Sequence, residues 1–285
     1  MNEPILTNPP GTVARRLADH YDQTGLEAGL LAALVAAGKD IEHLRPGDLQ
    51  GADEFHAGGA QATAHLAAQL GLAPDMHLLD VGSGLGGPAR HLATAHGCRV
   101  TGIDLTPSYV AAATSLTRRM GLQDRVTFRL AHADRLDFPD ASFDGVLLLH
   151  VGMNIPDKAS LIAAFHRVLK PGGFLAIYDI MRTADGALAF PLPWSGEPGT
   201  SFVESPTAYR VALAAAGFTV EAEHDRGDFA RDSFAALRAR QAQSGPSPLG
   251  LQHAMGPTVA IKVANMAGLI GQGIIAPTEM IARRR

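Results

Sequence analysis

Leu78-Leu79-Asp80-Val81-Gly82-Ser83-Gly84-Leu85-Gly86-Gly87 is the stretch whose reading decides the fold. A short apolar run ends in a glycine turn, and the turn opens into a segment carrying Ala89, Leu92 and Ala93 at helical spacing, which predicts strand, turn and helix in succession. Glycine accepts positive φ cheaply and lets backbone approach a ligand. The first amides of the following helix point at whatever lies above the strand ends, so a nucleotide-like ligand is the natural occupant. Twenty residues beyond Gly84, the run Arg99-Val100-Thr101-Gly102-Ile103 ends in Asp104, a position from which a carboxylate accepts hydrogen bonds from ribose hydroxyls. A glycine turn alone would be just as consistent with a helix packed against a sheet; the acid makes it a ligand site. Gly82, Gly84 and Gly87 also satisfy G-x-G-x-x-G, so the residues alone leave a nicotinamide-dependent oxidoreductase as an alternative.

Outward from this stretch, short apolar runs alternate with amphipathic segments, the pattern of a parallel sheet joined by helical crossovers. Strands are predicted near 77–81, 99–104, 126–130, 143–149, 173–180, 218–224 and 279–282, the last closing the sheet. Ahead of them, residues 12–37 and about Gly59 to Leu70 have helical spacing separated by Gly38, Pro46 and Gly47, which predicts an N-terminal helical cap over 1–58 and a ligand-binding domain over 59–285. The Pro- and Gly-rich segment 184–205, after the fifth strand, has no sheet periodicity and is long for a loop, so it is expected to cover the site. Further helices are predicted over 157–168, 232–243 and 257–269.

Composition narrows the function. With 285 residues, 46% hydrophobic, the chain can build a real core, and 24 Lys+Arg against 28 Asp+Glu create no positive field to gather nucleic acid. Cys98 is the only cysteine, which rules out an intrachain disulfide and fits a reducing, cytoplasmic setting; the first residues lack the features of a secretory signal. The apolar stretch 26–38 contains Glu27, is too short to span a bilayer and reads as a buried helix, so no membrane partner is expected. Monomer and homo-oligomer both remain open.

Asp80 to Arg90, Val100 to Thr106, Ser142-Phe143-Asp144 and Val168-Leu169-Lys170-Pro171-Gly172-Gly173 resemble, in order and spacing, the motifs of class I S-adenosylmethionine-dependent methyltransferases. Asp53-Glu54-Phe55-His56 with Gly59 and Thr63, His150 with Met153 to Lys158, and Pro191 to Trp194 with Ser201-Phe202 resemble a narrower branch, the glycine/sarcosine and sarcosine/dimethylglycine N-methyltransferases and their bacterial relatives. The resemblance covers about residues 20–283. It implies a Rossmann-like, seven-stranded, mostly parallel α/β sheet with flanking helices, and S-adenosylmethionine as cofactor. Asp80, Gly82, Ser83 and Gly84 would bind it, Gly82 and Gly84 lining its methionine portion, Asp104 would hold the ribose, and Leu105 would lie against adenine. Ala133 and Asp134 would meet the adenine ring, unless Asp134 is only a turn residue, and the backbone at Leu149 would accept from the cofactor's amino group.

Methyl transfer is an in-line displacement that needs alignment, and neither a metal nor a covalent intermediate. A tertiary amine acceptor needs aromatic faces and no strong base. A hydroxyl, a primary or secondary amine or an acidic carbon must also lose a proton, and a histidine can take it. His150, after a predicted strand, is the candidate catalytic residue, although a histidine there can equally be a core residue. Candidate acceptor-site residues are Tyr21 and His56 in the cap, Met153 and Asn154 after the fourth strand, Tyr178 at the end of the fifth, and Trp194 in the insert. Asn154 could instead cap the next helix, Trp194 anchor its loop and Asp179 cap local backbone. The branch resemblance implies an amine nitrogen of a small molecule as acceptor, with O- or C-methylation as the alternative; a cofactor-binding partner subunit without turnover is a third possibility. Leu149, where the branch carries a polar residue, and Gly58, where it often carries a larger or basic one, point away from a carboxylate-bearing amine and leave room for a hydrophobic acceptor.

Overall fold

A computed structural model describes residues 16–17, 20–22, 25–49, 51–245, 247 and 249–285. Strand β1 (His77–Val81) is buried at all but its first residue, as expected of a strand with neighbours on both edges and helices on both faces. It pairs in parallel with β2 (Arg99–Asp104) on one side and β4 (Phe143–Leu149) on the other. With β3 (Val126–Leu130), β5 (Leu169–Arg182), β6 (Phe218–Asp225) and β7 (Ile275–Arg284) they form one sheet of seven strands in the order β3-β2-β1-β4-β5-β7-β6. β7 runs antiparallel to both of its neighbours. The α/β, mostly parallel expectation holds, with one difference: β7 does not close an edge but lies between β5 and β6.

Two strands are longer than their patterns suggest. β5 starts at Leu169, paired with Phe143, and the Lys170 to Gly173 run is a register irregularity before pairing resumes at Gly145 and Phe174. β7 is buried from Ile275 to Ala282, so it shows no alternation, and Pro277 hides its first half from a reading by periodicity.

Among the described residues, helices α1 (Leu26–Ala36) and α2 (Gly59–Ala67) precede β1. The single helix expected over 12–37 is interrupted: Gly25 is left-handed, φ 77°, and starts α1 afresh. Residues 12–15, 18–19 and 23–24 of that expectation lie outside the described residues. Nor is the stretch 26–38 buried all round. Leu26, Leu30 and Leu34 form one buried stripe while Val35 is exposed. That stripe packs with Leu85 of the glycine turn and with Tyr109, Ala112 and Leu116 of α4 (Pro107–Arg119), so it braces the turn from outside the sheet.

α3 (Gly87–His96) follows the glycine turn, and its buried Arg90 donates to Asp53 at 2.9 Å and to Thr117 at 3.1 Å. This ties the segment before α2 to the turn. α5 (Lys158–Val168) is capped by Asp157, whose side chain accepts from the Ser160 amide, so Asn154 is not its cap. α6 (Pro206–Ala215), α7 (Gly227–Ser244), α8 (Gln252–Met255) and α9 (Val259–Gly271) complete the set. In segment 184–205, Leu192 and Trp194 are buried against Met153, Ile180 and the α9 residues Met266, Leu269 and Ile270. Among the described residues no helix is long and apolar enough to cross a membrane.

Candidate active site

The strand order reverses between β1 and β4, and loops after the carboxyl ends of β1 to β4 meet there, the place where open α/β sheets bind ligands. A cavity of about 400 Å³ opens at this point. Gly82 and Gly84 line it from β1, Asp104, Leu105 and Thr106 from β2, Ala133 and Asp134 from β3, and Leu149 to Val151 with Met153 and Asn154 from β4.

The turn is shaped for close approach. Gly82 (φ 71°) and Gly84 (φ 52°) are both left-handed. A Cβ on Gly82 would lie 2.3 Å from Val151 Cγ2, and one on Gly84 3.0 Å from Phe55. Gly82 and Ser83 amides donate to the Ile103 carbonyl at 2.8 and 2.9 Å, which locks the turn to β2. Asp104 accepts from the Gly84 amide and from the Thr106 amide, each at 2.9 Å, one per carboxylate oxygen. Its burial pushes its pKa up, against the pull of those amides.

Asp80 and Ser83 do not line the cavity. Asp80 Oδ2 and Ser83 Oγ are buried behind the turn with no hydrogen-bond partner among the described residues. Burial, with Asp104 nearby, pushes Asp80 up to about 7. The Asp104 carboxyl group at the cavity, beside a glycine cradle that a Cβ would obstruct, suits a nucleoside such as S-adenosylmethionine.

On the opposite wall, His150 follows β4 with φ 54°, rare outside glycine, and its amide donates to the Tyr178 carbonyl at 2.7 Å. Its Nε2 is buried with no hydrogen-bond partner among the described residues, and burial together with His56 holds its pKa well below the usual histidine range. His56 and Tyr178 stand behind it rather than at the cavity surface, their ring centroids 6.0 and 5.2 Å from that of His150. Tyr178 donates to the Ala57 carbonyl at 3.0 Å.

Tyr21, Met153, Asn154 and Trp194 all line the cavity. Asn154 is a hub: Nδ2 donates to the Trp194 carbonyl at 2.7 Å and Oδ1 accepts from the Tyr21 hydroxyl at 3.4 Å. Trp194 is also an anchor, its Nε1 donating to Ser201 at 3.0 Å. Asp179 does not reach the cavity and β5 does not end there. Its carboxylate accepts from Tyr209 at 2.5 Å and from the Ile180 amide, and burial pushes it up to about 7. Gly58 needs no larger side chain, because Phe229 fills the space where its Cβ would stand.

Sequence reasoning missed Phe55, Tyr109, His132 and Met255 among the lining residues. Phe55 sits within the quoted Asp53 to His56 run, where its neighbours drew attention. Met255 comes from α8, to which no motif points.

Comparison with known proteins shows the family. The Methyltransferase domain family matches residues 79–177. The 27-O-demethylrifamycin SV methyltransferase of Amycolatopsis mediterranei is 35% identical over 67% of this chain and 71% of its own length. The chain belongs to the class I S-adenosylmethionine-dependent methyltransferases, whose methyl donor is S-adenosylmethionine, and the nicotinamide alternative is set aside. A sterol 24-C-methyltransferase of Eremothecium gossypii is 32% identical over 62% of the chain and 49% of that protein, so the chain spans about half of that relative. Among solved structures, the [4+2]-cyclase SpnF superposes with a TM-score of 0.62 at 27% identity, over 92% of this chain and 96% of that one. A putative sarcosine dimethylglycine methyltransferase of Galdieria sulphuraria, TM-score 0.62 over 79% of this chain and 85% of that one, is only 20% identical and shares the fold. The narrower branch suggested by sequence is therefore a likeness of fold.

Proposed function

We propose that this chain transfers a methyl group from S-adenosylmethionine to a hydroxyl of an uncharged, largely apolar small molecule, with His150 accepting the proton. The observation that carries this reading is His150 Nε2, buried at the cavity wall with no hydrogen-bond partner among the described residues; its burial holds the imidazole well below the usual histidine range. Bound cofactor supplies an electrophilic methyl carbon on a cationic sulfur. Gly82, Gly84, Asp104, Leu105, Ala133, Asp134 and the Leu149 backbone would hold it, with Asp80 and Ser83 supporting the turn from behind.

The remaining work falls to the protein. The acceptor oxygen must lie in line with the methyl carbon, and Tyr21, Asn154, Met153 and Trp194 shape the space for it. As the C–O bond forms and the C–S bond breaks, the hydroxyl proton becomes strongly acidic, so a weakly basic imidazole suffices to take it. The cation lost from sulfur reappears on His150 and leaves with that proton to solvent.

Among the described residues no lysine or arginine lines the cavity. Lys158 and Lys262, on segments bounding it, donate to backbone carbonyls of Ile155, Phe202 and Met255. An acceptor bearing phosphate or carboxylate would find no countercharge. The amine acceptor keeps one supporting feature, the rings of Tyr21, Tyr109 and Trp194 at the cavity, which would tolerate an ammonium product.

The test is methyl-labelled cofactor with matched hydroxyl, amine and carboxylate acceptors. Label on oxygen is expected, and His150→Ala should lower kcat by about 10²- to 10⁴-fold with cofactor affinity unchanged. Label only on nitrogen or carbon would overturn the hydroxyl reading. Cofactor binding with no transfer to any acceptor would favour a non-transferring role such as SpnF's name describes.

A further inference from the structure

Behind His150 lies a buried chain of polar groups that methyl transfer does not require. Thr63 on α2 donates to Glu54 Oε2 at 2.5 Å, and its Oγ1 is 3.0 Å from His56 Nε2. His56 Nε2 is also 3.1 Å from the Gly59 carbonyl and 3.3 Å from Glu54 Oε2. A carbonyl only accepts, so Nε2 must carry the imidazole proton, and the Thr63 proton is committed to Glu54. The His56 ring then meets the rings of His150 and Tyr178 edge-on, with centroids 6.0 and 5.9 Å away.

We propose that Glu54, acting through Thr63 and His56, is a positioning residue for His150: it fixes the place and tilt of the His56 ring against which the His150 ring is set. This rests on the reading of His150 as the proton acceptor. A general base needs a third group to orient it, commonly a carboxylate bonded to its second ring nitrogen. Here the carboxyl group lies one ring further back. The charges around Glu54 fit this arrangement. Burial pushes it up to about 8, with Asp53 and Asp80 adding to the push and Arg90 opposing it. Burial lowers His56 to about 4. At neutral pH both groups are therefore uncharged, so the pair holds geometry without an ion pair that would compete for the proton received by His150.

The test uses the full-length chain labelled with ¹⁵N-histidine, saturated with S-adenosylhomocysteine, so it does not depend on an acceptor. In the parent, His56 should be the Nε2–H tautomer. In Glu54→Leu the Thr63 hydroxyl loses its acceptor and His56 Nε2–H keeps only the Gly59 carbonyl, so the ring signals of both His56 and His150 should shift while Nε2 keeps its proton. Glu54→Gln, whose carboxamide oxygen can take the Thr63 proton, should restore both. A parent with Nδ1–H at His56 would overturn the proposal. So would a folded Glu54→Leu protein whose His56 and His150 signals match the parent, or a folded Glu54→Gln protein that fails to restore them. Should Glu54→Leu fail to fold, Thr63→Val gives the parallel comparison, with His150 again expected to shift and an unshifted His150 overturning the proposal. His150→Ala with undiminished turnover would sink the base reading alone, because the ring signals report the coupling separately.

Discussion

Replacing Gly82 by alanine tests the turn at its tightest point. The new Cβ would stand 2.3 Å from Val151 Cγ2, 3.1 Å from Cγ1 and 3.3 Å from Cβ, at a residue held at φ 71°. A left-handed non-glycine residue costs roughly 1–2 kcal/mol, and overpacking typically adds about 1–3 kcal/mol, so Gly82→Ala should destabilise by about 2–5 kcal/mol. The two parts separate in a double-mutant cycle. Val151→Ala removes both clashing methyls, so the double variant should be more stable than the sum of the singles by about 1–3 kcal/mol, leaving the backbone part in place. Urea unfolding reads the stabilities, and calorimetric titration with S-adenosylhomocysteine reads the site. Both residues line the cavity, so Gly82→Ala should weaken binding by at least about tenfold, equivalent to 1.4 kcal/mol. A single variant within about 1 kcal/mol of the parent, or energies that simply add, would refute the close approach of the turn to Val151.

Asp80 gives a pH prediction. Its folded pKa is pushed up to about 7, so between its unfolded value near 3.8 and about 7 the unfolded chain binds fewer protons and stability falls as pH rises. Asp80→Asn should therefore gain on the parent by a few kcal/mol, to order of magnitude, in urea at pH 8 and by nothing at pH 3; a constant difference across that range would contradict it. Asp104→Ala should leave the Gly84 and Thr106 amides without their acceptor, at a cost of about 1–3 kcal/mol each where they stay buried, and abolish measurable calorimetric binding of S-adenosylhomocysteine; unchanged affinity would remove Asp104 from the cofactor site.

Much of this was legible in the amino-acid sequence because it is local. The strand, turn and helix from Leu78 to Gly87 are written in adjacent residues, and six further apolar runs located the other strands. Asp104 was legible for the same reason: the end of β2 and the glycine turn are related by one crossover of fixed length. So were His150, Asn154 and Met153, which follow directly on β4. The division into a cap over 1–58 and a domain over 59–285 remains a proposal.

What only the tertiary structure decided is which side chains share a space. Asp80 and Ser83 belong to the glycine motif, yet the alternation of a buried strand and the turn after it put their polar atoms behind the cavity. Sequence reading places His56 and Tyr178 in the acceptor pocket, but packing sets them behind His150, away from the cavity surface. Met255 reached the cavity and β7 slipped between β5 and β6 through contacts across most of the chain. Sequence periodicity specifies which face of an element is buried; the partner that buries it depends on how distant elements dock, and no local pattern encodes that choice.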